Sequence, residues 1–195
     1  KYRAEYPHLT IKYVRNPQNI GPIANQQQCL KLSSGEFINY LMDDDLFHPR
    51  KIERMMSYMS REPSVALVPS QRRIIDAEGQ PIFVPPVWTF KKLFPRDTVL
   101  DGREFTRILL RDKTNYIGEP TTALFRRSML DEPFGVLMGK QVYFAVDLAT
   151  WLNLLQKGKG VYIVQPLSYL RYHPGQLSQH KDAELAKKLD RETFT

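Results

Sequence analysis

Apolar residues recur along the chain in two alternating patterns, which together predict an α/β fold. Short, nearly continuous or alternating apolar runs predict strands at 10–15, 36–42 and 64–70, a strand within 121–130, and a strand with an extended segment at 160–173. Apolar positions three or four residues apart predict helices at 22–33, 49–62, 101–112 and 145–158, and a polar helix follows at 181–195. Because strands alternate with helices, we expect a mostly parallel sheet flanked by helices.

Turn and capping residues refine this outline. Residues 72–84 have turn residues in the middle and predict a hairpin. Asp101 is the expected N-cap of the helix that follows it. In the helix at 49–62, the spacing of the apolar side chains predicts which of them reach the core. These are Ile52, Met55, Met56 and Met59.

Composition limits the kinds of partner that this chain can have. The 195 residues suffice for one domain, and we expect a main domain over 1–180 with a tail over 181–195. The net charge of +7 favours an anionic ligand or an acidic surface, but the basic residues are dispersed, so we do not expect nucleic acid binding. One cysteine, Cys29, allows no disulfide within the chain and is expected to be a small core residue.

Three adjacent aspartates, Asp43 to Asp45, follow the apolar run at 36–42. Neighbouring carboxylates repel one another, so the cluster suggests a bound cation, and oxygen ligands suit Mg²⁺ or Mn²⁺. A helix–loop–helix calcium site fits poorly because it needs a glycine at the sixth position of its loop and a glutamate at the twelfth. Counted from Asp43, these positions are His48 and Arg54. A protein-bound Mg²⁺ or Mn²⁺ keeps coordination positions open for substrate phosphates. The alternative is that one aspartate caps the helix after Pro49 and that the others are solvated.

The stretch "NPQNIGPIANQQQCLKLSSGEFINYLMDDDLFHPRKIERMM" resembles the central part of the family 2 glycosyltransferases with the GT-A fold. The resemblance implies a Rossmann-like sheet and inverting transfer of a sugar from a nucleotide diphosphate onto an acceptor hydroxyl. It also implies that the aspartates are the family's DXD motif and hold a divalent metal. The residues that would bind the donor are Asn19, Gly21, Asn25, Asp43 and Asp44.

The second half of the chain, to about residue 180, is similar to the same family. Asp147 falls on the position of the catalytic base, although the glutamate that usually precedes the base is replaced by Val146. His173 falls on a position that often completes the metal or diphosphate site, so the resemblance implies Asp44, Asp45 and His173 as metal ligands. "GEPTTALFRR" resembles the strand before the acceptor site, which makes Glu119 a candidate for acceptor binding.

The resemblance also implies the chemical classes of donor and acceptor. The donor is expected to be a UDP-sugar and the acceptor a saccharide, lipid or protein, in the cytoplasm and with peripheral membrane contact. The family's first β-α-β unit, which builds the nucleotide-base pocket, is not found before Lys1, so we expect this chain to lack it. Trp88, in a proline-rich loop, is a candidate for stacking on the acceptor sugar, as is Phe90.

Each assignment has an alternative. Asp147 lies near a helix start, where an acid gains from the helix dipole, and His173 taken alone could be a structural histidine. A phosphohydrolase could also use clustered aspartates and Mg²⁺, but it would need a nucleophile and a phosphate loop that the sequence does not display. A non-catalytic module that binds nucleotide-sugars or carbohydrates is the alternative function.

Overall fold

A computed structural model describes residues 2–83, 92–173 and 182–194. The helices are α1 (Tyr2–Glu5), α2 (Pro22–Leu32), α3 (Lys51–Met59), α4 (Gly102–Asp112), α5 (Val146–Lys157) and α6 (Asp182–Phe194). The strands are β1 (Phe37–Asn39), β2 (Leu46–Phe47), β3 (Val65–Ile75), β4 (Thr98–Leu100), β5 (Ala123–Arg126), β6 (Val136–Leu137), β7 (Lys140–Gln141) and β8 (Lys159–Arg171). In this part of the chain, no helix has both the length and the apolar character that crossing a membrane requires.

The predicted α/β class is confirmed, but the sheet is mixed. Its strand order is β1-β5-β3-β8-β2, with β4 also paired to β8. β3 and β8 form the parallel pair, whereas the other pairings in the described sheet are antiparallel. The two longest strands therefore provide the parallel centre that their continuous apolar runs predict, and shorter strands extend it on both sides.

Helices cover both faces of this sheet. On one face, α4 and α5 bury large side chains, including Phe105, Trp151 and Leu154. On the other face, α3 packs Met55 and Met59 against β3 and β8. The result is a three-layer arrangement with an apolar core on each side of the sheet.

Two sequence predictions in this region were wrong. Residues 10–15 do not form a strand, and most of their side chains are exposed. Only the alternation of apolar and polar residues predicted this strand, and that pattern does not ensure that a neighbouring strand is present to pair with it. In α3, Ile52 is exposed, and the buried face is Lys51, Met55 and Met59, because these residues lie four positions apart on the helix.

Lys51 is an unusual member of that face because its side chain is fully buried. Its ammonium group donates hydrogen bonds to the Thr122 carbonyl at 3.1 Å and the Ser168 hydroxyl at 2.9 Å, and it lies 5.0 Å from the centre of the Phe47 ring. Burial lowers the pKa of Lys51 to about 7. The amine thus joins α3 to the sheet through polar contacts inside an otherwise apolar layer.

Other predicted features are confirmed. The Asp101 side chain accepts hydrogen bonds from the backbone N–H groups of Arg103 and Glu104, as expected of an N-cap. The predicted hairpin is present as far as the structure describes it, since Ile75 pairs with Pro81 across the turn. α6 confirms the helix predicted for the tail.

The contact between α4 and α5 requires a glycine. A Cβ atom on Gly102 would lie 1.9 Å from the Leu155 carbonyl oxygen and 2.2 Å from that of Gly158. Both neighbours are backbone atoms of the segment that forms and ends α5, so neither can move aside as a side chain could. Gly102 therefore sets how closely α4 approaches the helix that carries Asp147.

We expect Gly102→Ala to lower the free energy of unfolding by about 3 kcal/mol, because the added methyl group must push α4 away from α5. Urea denaturation followed by circular dichroism measures the loss. Arg103→Ala, at the next and exposed position, is the matched control and should change stability by less than about 0.5 kcal/mol. Equal stability of the two variants would contradict the close approach.

Candidate active site

The acidic loop after β1 contains three aspartates in three different environments. Asp43 is exposed, Asp44 is partly buried and Asp45 is buried. The Asp45 carboxylate accepts hydrogen bonds from the Thr121 hydroxyl and, at 3.1 Å, from the backbone N–H of Arg171. Burial raises the pKa of Asp45 to about 6, although both hydrogen bonds oppose the shift. Its contacts are those of a residue that anchors the loop.

Asp44 faces the end of β8. Its Oδ2 atom lies 3.3 Å from Nε2 of His173, and about a third of each side chain is exposed, 31% and 33%. The Arg171 guanidinium donates to the Asp44 backbone carbonyl at 2.8 Å and also to the carbonyls of Asp76 and Ala77. Arg171 thereby braces the acidic loop against the hairpin turn, and it leaves the Asp44 carboxylate facing the imidazole.

The residues around Asp44 fit one side of a metal site. Among the described residues, no group of three or more histidine, cysteine or acidic side chains forms a complete site. Asp44 and His173 nevertheless bring a carboxylate and an imidazole within 3.3 Å in a partly exposed position. That donor pair suits Mn²⁺ better than Mg²⁺. Asp45 fits less well because both of its oxygens already accept hydrogen bonds.

A second carboxylate, Asp147, lies in the first turn of α5. The Asn115 side-chain amide donates to its Oδ2 at 3.1 Å, and the Leu148 N–H donates to its Oδ1 at 2.8 Å. Burial is the largest cause, and the nearby charge of Glu119 the second, of a pKa raised to about 7. Asp147 is therefore a carboxylate with the basicity to accept a proton near neutral pH.

Glu119 is held next to this carboxylate by an ion pair. Its Oε2 atom lies 2.8 Å from Nε of Arg72, whose side chain is 5% exposed. The preceding residue, Gly118, has a φ of +91°, and a Cβ atom there would lie 2.5 Å from Nη1 of Arg72. Trp151, one turn after Asp147 on α5, donates its indole N–H to the Gly118 carbonyl at 2.9 Å. Glycine thus lets this loop pass between the arginine and α5.

The segment 115–122 joins the two acidic centres. Near its start, Asn115 donates to Asp147, and near its end, Thr121 donates to Asp45. The Ser168 hydroxyl also donates to the Thr121 carbonyl, at 3.2 Å, which ties the segment to β8. One short stretch of chain therefore contacts both the acidic loop, through Asp45, and the basic carboxylate of Asp147.

The residues predicted to bind the donor lie in the loop before α2. The Asn19 side chain accepts a hydrogen bond from the Gly21 N–H at 2.8 Å, and Gly21 has a φ of +79°. Asn25, on the first turns of α2, accepts from Asn16 at 3.2 Å and lines the same open groove. Gln26 reaches Met42, directly before the aspartates, at 3.8 Å. Their role in binding the donor stays a prediction.

Some residues with direct roles in this geometry carried no sequence signal. Asn115 and Arg72 belong to no motif in the sequence. Cys29, expected in the core, is exposed because α2 has no buried residues. Trp88 lies outside the described residues.

A family model and known proteins match this chain in sequence. A family model described as "Glycosyl transferase family 2" matches residues 2–134. The chain is 27% identical over 163 residues to "Uncharacterized protein MT1568" of Mycobacterium tuberculosis, covering 83% of this chain and 50% of that protein. It is 27% identical over 85 residues to "Uncharacterized glycosyltransferase MJ1057" of Methanocaldococcus jannaschii, covering 43% of this chain and 29% of that protein.

The fold is similar to that of solved glycosyltransferase structures. The crystal structure of S. aureus TarS 1-349 in complex with UDP-GlcNAc matches with a TM-score of 0.67 and 17% identity, over 98% of this chain and 52% of that one. A crystal structure of TarS 1-349 described without that ligand matches with a TM-score of 0.59 and 17% identity, over 87% and 46%. The predicted GT-A-like fold is confirmed, and the chain spans about half the length of MT1568 and of the TarS chain.

The electrostatic environment of Asp147 gives a test that needs no substrate. We expect Glu119→Gln to lower the pKa of Asp147 below about 7, because it removes a negative charge that opposes ionisation and leaves the Arg72 charge in place. NMR titration of the aspartate carboxyl carbons measures the change. Glu36→Gln, an exposed carboxylate paired with Arg126, is the control and should leave the Asp147 titration where it is. An unchanged titration in Glu119→Gln would contradict the coupling.

Proposed function

The chain belongs to glycosyl transferase family 2, and on that premise we propose that it transfers a sugar, with inversion, from a nucleotide diphosphate sugar to an acceptor hydroxyl. The observation that carries the proposal is the segment 115–122, which contacts Asp147 at one end and the acidic loop at the other. Two carboxylate centres in contact with one short segment meet the basic requirement of this chemistry. One centre serves the leaving group, and the other serves the nucleophile.

Asp147 is proposed as the general base. An acceptor hydroxyl is a poor nucleophile until its proton is removed, and a carboxylate whose pKa is raised to about 7 removes it more effectively than an ordinary aspartate does. The amide of Asn115 and the N–H of Leu148 hold the carboxylate in one orientation. Inversion requires the base on the face of the sugar opposite the leaving group, so a separate carboxylate must serve the diphosphate.

Asp44 and His173 are proposed to hold a divalent cation, Mn²⁺ or Mg²⁺, with the exposed carboxylate of Asp43 assisting. When bound, such an ion neutralises the negative charge that grows on the departing diphosphate. Arg171 keeps Asp44 in place through its backbone carbonyl, so the carboxylate remains available. Asp45 is proposed to anchor the acidic loop to the rest of the protein, because its oxygens accept hydrogen bonds from Thr121 and Arg171.

The donor is proposed to be a UDP-sugar, and the loop with Asn19, Gly21 and Asn25 to face it. The support is the position of α2 next to Met42 and the UDP-GlcNAc in the complex with the structurally similar TarS. Glu119, whose side chain is 30% exposed beside Asp147, is proposed to contact the acceptor, a saccharide, lipid or protein hydroxyl. The net charge of +7 would also favour peripheral contact with an anionic membrane surface on the cytoplasmic side.

We expect Asp147→Asn to reduce transfer by about 10²-fold or more, because the amide keeps the shape of the side chain and cannot accept the proton. The measurement is acceptor-dependent release of nucleoside diphosphate by the full-length protein. A phosphohydrolase would instead release inorganic phosphate, and a binding module would release neither product. Asp131→Asn is the matched control, since Asp131 is exposed and pairs with Lys157 at the other end of α5. Transfer within a few-fold of the parent would assign the base elsewhere.

We expect Asp44→Ala to weaken Mn²⁺-dependent binding of UDP by at least about 10-fold, because the ion would lose its carboxylate ligand. The fold should persist, since Arg171 bonds the backbone carbonyl of residue 44 and not its side chain. Isothermal titration calorimetry with and without Mn²⁺ measures the effect, and unchanged thermal unfolding checks the fold. Unaltered Mn²⁺ affinity in this variant would remove Asp44 from the metal site.

A further inference from the structure

A carboxylate from the C-terminal helix caps the segment that leads into the proposed base. Asp190 of α6 accepts hydrogen bonds from the backbone N–H groups of Tyr143 at 2.6 Å, Phe144 at 2.9 Å and Ala145 at 3.2 Å. Both of its oxygens take part. These three residues directly precede α5, whose second residue is Asp147.

The start of α5 needs such a partner. The N-cap residue, Ala145, has no side chain that can accept a hydrogen bond from the first turn. The N-terminus of a helix leaves backbone N–H groups unpaired and has a partial positive charge, so an anion there is favourable. Asp190 supplies that anion from 45 residues further along the chain, through charge-assisted hydrogen bonds.

A second contact fixes α6 at the same place. The ammonium group of Lys187, one turn before Asp190, lies 4.8 Å from the centre of the Phe144 ring. It also pairs with Glu184 at 2.6 Å. α6 thus contacts the segment 143–145 through its backbone and through an aromatic side chain that is 47% exposed. The helix is docked on the approach to the proposed base.

We propose that Asp190 is a positioning residue for the transfer reaction: it holds the segment 143–145 and thereby fixes the first turn of α5 and the Asp147 carboxylate. This inference rests on the proposed function of Asp147. The carboxylate keeps its orientation through Asn115 in a different segment and Leu148 in its own helix. A shift at the start of α5 would therefore move Asp147 away from Asn115. Small displacements of a reacting group cost about 10²-fold in rate.

The three hydrogen bonds from the 143–145 amides to Asp190, which we call the clasp, are tested without substrate. Hydrogen exchange followed by NMR reports the protection of the Tyr143, Phe144 and Ala145 amides. We expect Asp190→Ala to speed exchange at these three amides by about 10-fold or more, because their acceptor is gone. Glu184→Gln, on the same helix, is the control and should leave all three protected. Equal exchange in Asp190→Ala and the parent would overturn the proposal.

The positioning role is tested by kinetics in the full-length protein. We expect Asp190→Ala to lower kcat by about 10-fold with little change in the KM for the donor, because the base is displaced and the donor loop is not touched. A helix that only adds stability would lower the melting temperature and leave kcat within about twofold, which would overturn the proposal. Lys187→Met separates the aromatic contact from the carboxylate and should retain most of kcat.

A double-mutant cycle shows whether Asp190 acts through Asp147. In an Asp147→Asn background, Asp190→Ala should lower kcat by less than about a further twofold, because a base that is absent cannot be displaced. Fully additive losses would overturn the proposal. If Asp147→Asn alone keeps transfer, the base assignment fails and the positioning role fails with it, while the amide exchange still decides whether the clasp exists.

Discussion

The parallel ladder between β3 and β8 is the constraint on which both centres of the site depend. It runs from Val65 opposite Lys159 to Ile75 opposite Arg171. Beyond its β8 end, His173 meets Asp44, and within β3, Arg72 reaches Glu119. A shift of one residue in this register would turn Arg72 to the other face of the sheet relative to β8 and would displace the segment with His173 along the sheet, so it would disturb both centres at once.

The pairing of β3 with β8 is irregular next to Arg72, which belongs to the site. Its register shifts between Ser70 and Arg72, opposite the stretch of β8 that contains Pro166, which has no N–H to donate. Such a bulge redirects side chains. Arg72 is buried at this point and faces Gly118, the glycine that lets the loop pass. A local break in a regular pairing therefore supports the ion pair beside Asp147.

The sequence predicted the features that depend on local pattern. The α5 helix, the Asp101 cap and the strand before the aspartates follow from spacing and turn residues, and all are present, the last in shorter form. The roles of Asn115 and Arg72 could not be predicted because their partners are 32 and 47 residues away and polar contacts have no period. Lys51 was missed for a related reason, since a lysine is rarely buried.

The burial of Lys51 has a consequence for the chemistry of the protein surface. Its amine donates to Thr122 and Ser168 inside the layer between α3 and the sheet, where water and dissolved reagents do not reach it. Acylating or crosslinking reagents that modify exposed lysines must therefore spare this one while the protein is folded. Modification at residue 51 would mark molecules whose central layer has opened, so the lysine is a built-in reporter of unfolding.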